Sequence, residues 1–263
     1  MDLLNEGVYD KGILKAIFMA GGPGSGKSWV ARGLFGIPEK MPLTSIAYGL
    51  KVVNSDAEFE HYLRKFGFDT EQGTGYGKGT LDLDLWPDEV WDMVGGDQSP
   101  EDAKKNPNLR AMTKKYTLMR KGGYMNNRLG MIIDGTARDY KKIADEKKEL
   151  EKMGYDTYMV FVNTTLEVAQ ERNKDRKRIL PPDLLKKSWH QVQKNIGAFN
   201  GLFKSNFLIV DNSNFLSEKE ATKKFNMLIK KGVGKFISKP IKNKFGKQWI
   251  KNQMLLKKKG LNK

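Results

Sequence analysis

The chain has 263 residues, with 47 Lys+Arg against 31 Asp+Glu and a net charge of +16. It contains no cysteine and two histidines, His61 and His190, which excludes disulfides, thiolate metal sites, iron–sulfur clusters and cysteine nucleophiles and disfavours a histidine-built metal centre. No apolar run approaches the roughly 18 residues that span a bilayer, and the opening MDLLNEGVYD lacks the charged-then-apolar order of a secretory signal, so a cytoplasmic protein with no membrane partner is expected.

In chain order, Ile13–Met19 reads as a buried strand, followed by a glycine-rich turn and a helix over Lys27–Gly36. Pro38 and Pro42 mark a loop. Lys51–Asn54 is a second strand, followed by a helix over Ala57–Phe66. Residues 67–107 hold many glycines, prolines and acids together with Trp86 and Trp91, too long a stretch for a plain connection, and read as an insertion that caps the domain or as a surface loop. Leu109–Lys121 predicts a helix, Leu129–Ile133 a third strand, and Asp139–Met153 an amphipathic helix stopped by Gly154. Tyr155–Val162 is a fourth strand. Leu166–Arg176 is a helix, and Pro182–Phe199 is another that begins on proline. Phe207–Val210 is a fifth strand; Ser217 and Glu220 are spaced as a capping box opening a helix over Ser217–Lys231. This alternation predicts a three-layer α/β fold on a five-stranded, mainly parallel sheet.

The turn after the first strand reads GGPGSGKS. Gly21, Gly26, Lys27 and Ser28 satisfy G-x-x-x-x-G-K-[ST], the phosphate-binding loop. Its glycines let backbone N–H groups converge on an anion, and the next helix turns its N-terminus toward the phosphates. Lys27 is expected to reach the terminal phosphates of ATP and the Ser28 hydroxyl to hold Mg²⁺. Gly21, Gly22, Pro23, Gly24, Ser25, Gly26, Lys27, Ser28 and Trp29 are therefore the nucleotide-contacting stretch, and the fold class is a P-loop NTPase or kinase.

Two acids follow strand ends. Asp134 closes the third strand in GMIIDGT, where a carboxylate faces the Mg²⁺, although an acid before Gly135 also suits a plain turn. Asp56 in VVNSDAEFE is placed to take a proton from an acceptor hydroxyl, or simply to cap a helix. Farther on, ERNKDRKRILPPD sets Arg172 and Arg176 four apart on one helix face, with Arg178 close by and Pro181–Pro182 ending the segment, as in a basic lid over phosphates.

In that order GGPGSGKS, NSD, IIDGT and ERNKDRKR–PPDLL resemble the P-loop kinases of the phage polynucleotide kinase and zeta-toxin group, over about residues 13–212. The resemblance implies that Asp56 is the general base, that Lys27 and Arg176 stabilise the transferring phosphoryl group, and that Arg172, Asn173 and Arg176 form the lid against ATP. Polynucleotide kinases carry an arginine shortly after the base to bind substrate phosphate; here AEFEHYLRK follows, and its first arginine is Arg64. The Lys-rich composition is similar to that of phage proteins, which would work in a host cytoplasm.

The expected activity is transfer of the ATP γ-phosphate to a hydroxyl on a nucleic-acid 5′ end, a nucleotide or a sugar nucleotide. The alternatives are a nucleotide-gated nucleic-acid-binding accessory or ATPase, and a nucleoside monophosphate kinase. The charge is distributed unevenly: residues 221–263 hold 14 lysines and no acid, leaving 33 positive against 31 negative charges in residues 1–220. We read 1–231 as the kinase domain and 232–263 as a basic C-terminal extension. The extension is either a nucleic-acid-binding arm, with Phe245 and Trp249 stacking on bases, or a helix whose Phe245, Trp249 and Leu256 pack back on the body.

Overall fold

The computed structural model describes residues 8–37, 49–65, 81–82, 94, 98–99, 101–175, 178–214 and 216–260. Five strands form one sheet: β1 (Lys15–Ala20), β2 (Lys51–Val53), β3 (Met131–Asp134), β4 (Asp156–Asn163) and β5 (Phe207–Asp211). Their spatial order is β2-β3-β1-β4-β5, and every pairing is parallel. The fold is thus the expected three-layer α/β arrangement, with the sheet more uniformly parallel than expected.

Helices cover both faces, which is why the central strands read as unbroken apolar runs. Successive side chains of a strand point to opposite faces. On one face Ile17, Met19, Tyr158, Val160 and Val162 pack with α1 (Lys27–Phe35) and α8 (Glu218–Leu228). On the other, Phe18, Ala20, Met159 and Phe161 pack with α3 (Leu109–Asn126), α4 (Tyr140–Lys152), α6 (Pro182–Lys194) and α7 (Ile196–Phe203). α2 (Ser55–Lys65) follows β2, and α5 (Leu166–Lys174) follows β4. Between α5 and α6 the segment Arg178–Ile179 pairs in parallel with Leu81–Asp82. The remainder of 66–97, including Trp86 and Trp91, lies outside the described residues apart from the buried Val94, and so does the Pro38–Pro42 loop.

Local expectations hold in most elements. The capping box at Ser217 and Glu220 is formed, with the Ser217 hydroxyl accepting from the Glu220 N–H. The helix expected over Pro182–Phe199 is two helices, because Asn195 turns between them to donate to the carbonyls of Ala137 (3.1 Å) and Arg138 (2.8 Å). The helix after Ser217 passes through a π-turn at Ile229–Val233 into α9 (Gly234–Ser238).

The basic extension packs on the body. Val233, Phe236, Ile237 and Ile241 are buried in the two cores. α10 (Lys244–Lys258) lies on the body through Gly246, Trp249 and Ile250, while Phe245 and Leu256 are exposed. Packing back is therefore what Trp249 does, but the face is one notch round the helix from the expected one. Gly246 decides this: a Cβ there would sit 2.2 Å from the Gly154 carbonyl oxygen, so only glycine lets the backbones touch.

Candidate functional site

In an open parallel sheet, ligands bind beyond the carboxyl ends of the strands, at the point where strand order reverses. Here that point flanks β1, since the chain builds β2 and β3 on one side and β4 and β5 on the other. The P-loop leaves β1 at this edge and enters α1 directly. Gly24 and Gly26 have φ of 72° and 79°, in the left-handed region. A Cβ on Gly24 would meet the Ala169 carbonyl oxygen at 2.3 Å, and one on Gly26 would meet the Asn212 amide nitrogen at 2.4 Å. Both glycines are thus required twice, by conformation and by the closeness of α5 and the β5 terminus. Lys27 folds back over the loop and donates to the Gly21 carbonyl at 3.1 Å. Ser25 is buried with its Oγ unpartnered, and Ser28 is exposed at the helix start. Trp29, expected beside the nucleotide, faces α8 instead, its ring tilted on Phe225 with centroids 4.7 Å apart.

Asp134 stands next to β1 through the pairing of Met19 with Asp134. Its Oδ2 accepts from the Asn54 amide at 3.0 Å, and its buried Oδ1 has no hydrogen-bond partner. Burial pushes its pKa up to about 6, Lys27 opposes that shift, and the charge of Asp56 adds to it. Among the described residues no cluster of three His, Asp or Glu could hold a metal alone. Asp134 and Ser28 do fit an Mg²⁺ that arrives with nucleotide phosphates, because such an ion takes one or two protein oxygens and draws the rest from phosphate and water. The orphaned Oδ1 is the acceptor such an ion requires.

Asn54 is the hinge of the site. Its amide nitrogen holds Asp134, and its Oδ1 accepts the Asp56 N–H at 2.7 Å, closing the first turn of α2. Capping therefore falls to Asn54, and the Asp56 side chain is 47% exposed. Arg110, from the first turn of α3, donates to Asp56 Oδ1 at 2.5 Å and to the Ser55 carbonyl at 3.3 Å, and its guanidinium lies 5.0 Å from the Phe59 ring centroid. No arginine follows Asp56 closely in sequence, yet one reaches it in space from 54 residues away.

On the other side, Arg172 donates to the Asn212 carbonyl at 2.8 Å, beside Gly26. The Asn212 amide in turn donates to the Ser25 carbonyl at 2.8 Å, tying the β5 terminus to the P-loop. Asn173, grouped by the resemblance with the lid contacts, is buried: its amide donates to the Leu180 carbonyl at 2.8 Å and its Oδ1 accepts the Leu180 N–H at 3.1 Å. It ties the end of α5 to the segment before α6, and Arg176 lies outside the described residues. Trp189 packs over Gly22 and donates to the Thr164 carbonyl at 3.0 Å. Sequence reasoning missed Asn54, Arg110, Trp189 and Asn212; only Asn54 left a signal, as part of the NSD element.

These features define a parallel α/β fold with a P-loop sequence at the carboxyl edge of its sheet and two acids, Asp56 and Asp134, beside it. No protein-family model matches the chain, and no curated protein sequence does. Similar solved structures include a gluconokinase from Sinorhizobium meliloti, 16% identical over 86% of this chain and 99% of its own, with a TM-score of 0.40. A shikimate kinase from Acinetobacter baumannii is 13% identical over 85% and 95%, with a TM-score of 0.38. The PezAT chromosomal toxin–antitoxin structure from Streptococcus pneumoniae is 16% identical over 94% and 86%, with a TM-score of 0.40. Among the described residues no helix is long and apolar enough to cross a membrane.

Proposed function

We propose that the protein is an ATP-dependent phosphotransferase that moves the γ-phosphoryl group onto a hydroxyl acceptor. The observation that carries this reading is the meeting, at one sheet edge, of the P-loop, the buried Asp134 with its unpartnered Oδ1, and Asp56, whose backbone Asn54 fixes and whose carboxylate Arg110 holds. The P-loop amides and Lys27 hold the phosphates. Bound Mg²⁺, held by Ser28 and Asp134, supplies charge neutralisation at the phosphate oxygens. Asp56 takes the acceptor's proton as its oxygen bonds to the γ-phosphorus. The bond from that phosphorus to the bridging oxygen breaks, and ADP leaves with the electron pair. Arg172 is placed to steady the P-loop flank, and Arg176 to bring positive charge from the lid. Catalysis of this kind rests on positioning and electrostatics.

The acceptor class proposed is a phosphate-bearing one: a nucleic-acid 5′ end, a nucleotide or a sugar nucleotide. Arg110 supports this, because it sets a guanidinium beside the base, the role that an arginine following the base serves in the polynucleotide kinases the sequence resembles. The test is γ-labelled ATP with 5′-hydroxyl DNA and RNA, nucleoside monophosphates and UDP-sugars, using wild type and Asp56→Asn. Label on one acceptor, lost in the variant, is the expected result. Label released only as free phosphate, or no turnover on any acceptor, would instead favour a nucleotide-gated binding protein.

A further inference from the structure

The opposite edge of the sheet carries a second basic site. Lys15 opens β1 and Ala20 closes it, so Lys15 lies five residue steps from the P-loop end, roughly 17 Å at about 3.3 Å per step. Lys15 is 2% exposed, its Nζ 3.1 Å from Asp156 Oδ2 and 4.7 Å from the Phe236 ring centroid. It forms part of the wall of a cavity of about 460 Å³, whose rim carries Lys231, Lys235, Lys239 and Lys242. The four rim lysines are exposed, and the cavity volume is that of a small-ligand site.

The two acids of the wall are both engaged. Asp156 accepts from Lys15, from the Lys242 N–H (2.9 Å) and from the Asn243 N–H (2.9 Å). Glu151 accepts from the Thr157 hydroxyl (2.9 Å) and from Lys147 (2.6 Å). Five lysines against two carboxylates leave the cavity with a surplus of three positive charges. Burial holds the Lys15 pKa below its ordinary value, Asp156 opposes that, and Lys242 and Lys239 push it further down. The like-charge repulsion among Lys15, Lys239 and Lys242 is offset by an anion in the cavity. The lysines come from the π-turn, α9 and the turn into α10, a segment pinned in place by buried Phe236, Ile237 and Ile241. Their convergence is fixed by core packing and is not a chance of flexible side chains.

We propose that this cavity is a second phosphate-binding site, separate from the P-loop, that takes the phosphate groups of a polyanion. That chemistry comes either from a small polyphosphate or from the backbone of a nucleic acid, and the test distinguishes them. The full-length chain carrying Lys27→Ala, to quiet the P-loop, is titrated with inorganic pyrophosphate and separately with fluorescent oligo-dT across a salt series. Lys235→Glu/Lys239→Glu is compared with a charge-matched reversal on α4, Lys141→Glu/Lys148→Glu; all four side chains are exposed, so folding is preserved. The expected result is at least a tenfold loss for the cavity variant and a smaller change for the control. If oligo-dT is the ligand, the salt slope should fall by about 0.7 per lost lysine contact. Saturable pyrophosphate binding without oligo-dT binding assigns a small ligand, and the reverse assigns a nucleic-acid backbone. Equal losses in both variants, or no binding of either probe, overturns the proposal.

Discussion

The two ends of the sheet use positive charge in different ways. At the carboxyl end, the described cations are individually constrained: Lys27 is bonded to its own loop, Arg110 to Asp56 and Arg172 to the Asn212 carbonyl. Each is held by a specific acceptor, which suits chemistry that depends on ångström-scale placement. At the amino end, lysines on successive turns line a cavity, and Lys15 at its wall pairs with Asp156. That arrangement suits binding by accumulated charge, which tolerates imprecision and weakens with salt. The two ends also differ in their acids. Asp134 at the carboxyl end keeps a buried Oδ1 without a hydrogen-bond partner, whereas both carboxylate oxygens of Asp156 at the amino end accept from donors.

The contrast is tested most sharply where the effect should be largest. Lys27→Ala and Asp56→Asn should each reduce phosphoryl transfer by about a thousandfold, in line with losing one positioned electrostatic or proton-accepting group. Binding at the amino end should be unchanged, and thermal melts should show the fold intact. Full transfer in Asp56→Asn would remove the general base from the mechanism.

Arg110→Ala should lower kcat/KM by roughly ten- to a hundredfold, since it releases Asp56 without removing it, and Arg110→Lys should recover only part, lacking the planar fork. Steady-state kinetics on the identified acceptor decide this; wild-type kcat/KM in Arg110→Ala would mean that the contact with Asp56 is incidental.

Asp134 gives a pH signature that can be read in chelator, without turnover. Its folded pKa of about 6 lies above the ordinary 3.8, so between those values the folded chain holds a proton that the unfolded chain releases. Stability from this group is present in full below about pH 4 and is lost as pH rises through 6, on the order of 3 kcal/mol. Asp134→Asn has no such loss. The melting temperature of the variant minus that of wild type should therefore rise between pH 4.5 and 7.5, and a flat difference would contradict a carboxylate buried at a cost.

The smallest effect belongs to the amino end. Gly246→Ala places a methyl against the Gly154 carbonyl and should cost about 1–3 kcal/mol as α10 shifts off the body. Denaturant melts read it, with transfer activity unchanged. Cutting the chain at 232 is a poorer probe of the tail's charge, because it also removes Phe236, Ile237 and Ile241 from the cores.

How much was legible follows from the range of each signal. The P-loop, the strand-end Asp134 and the NSD element are local: spacing along the chain dictates their chemistry, and the structure finds them together at one edge. The five strands were legible because doubly covered parallel strands are short, continuous apolar runs. The break at Asn195 was not, since its cause is a pair of carbonyls on residues 137 and 138. Nor was the role of Asn173, which looks like a lid contact by pattern and is a clamp by geometry.

By itself, then, the sequence determined the fold class, the phosphate loop and the excess of charge after residue 220, because periodicity, glycine spacing and composition act over a few residues. Only the tertiary structure decided that Arg110 serves Asp56, that Asn212 props the P-loop, and that the lysine-rich segment wraps the sheet's amino edge around Lys15. Those contacts join residues 54, 187 and 141 positions apart respectively for Arg110–Asp56, Asn212–Ser25 and Lys15–Asp156, and only the packing of helices onto a shared sheet selects such pairs.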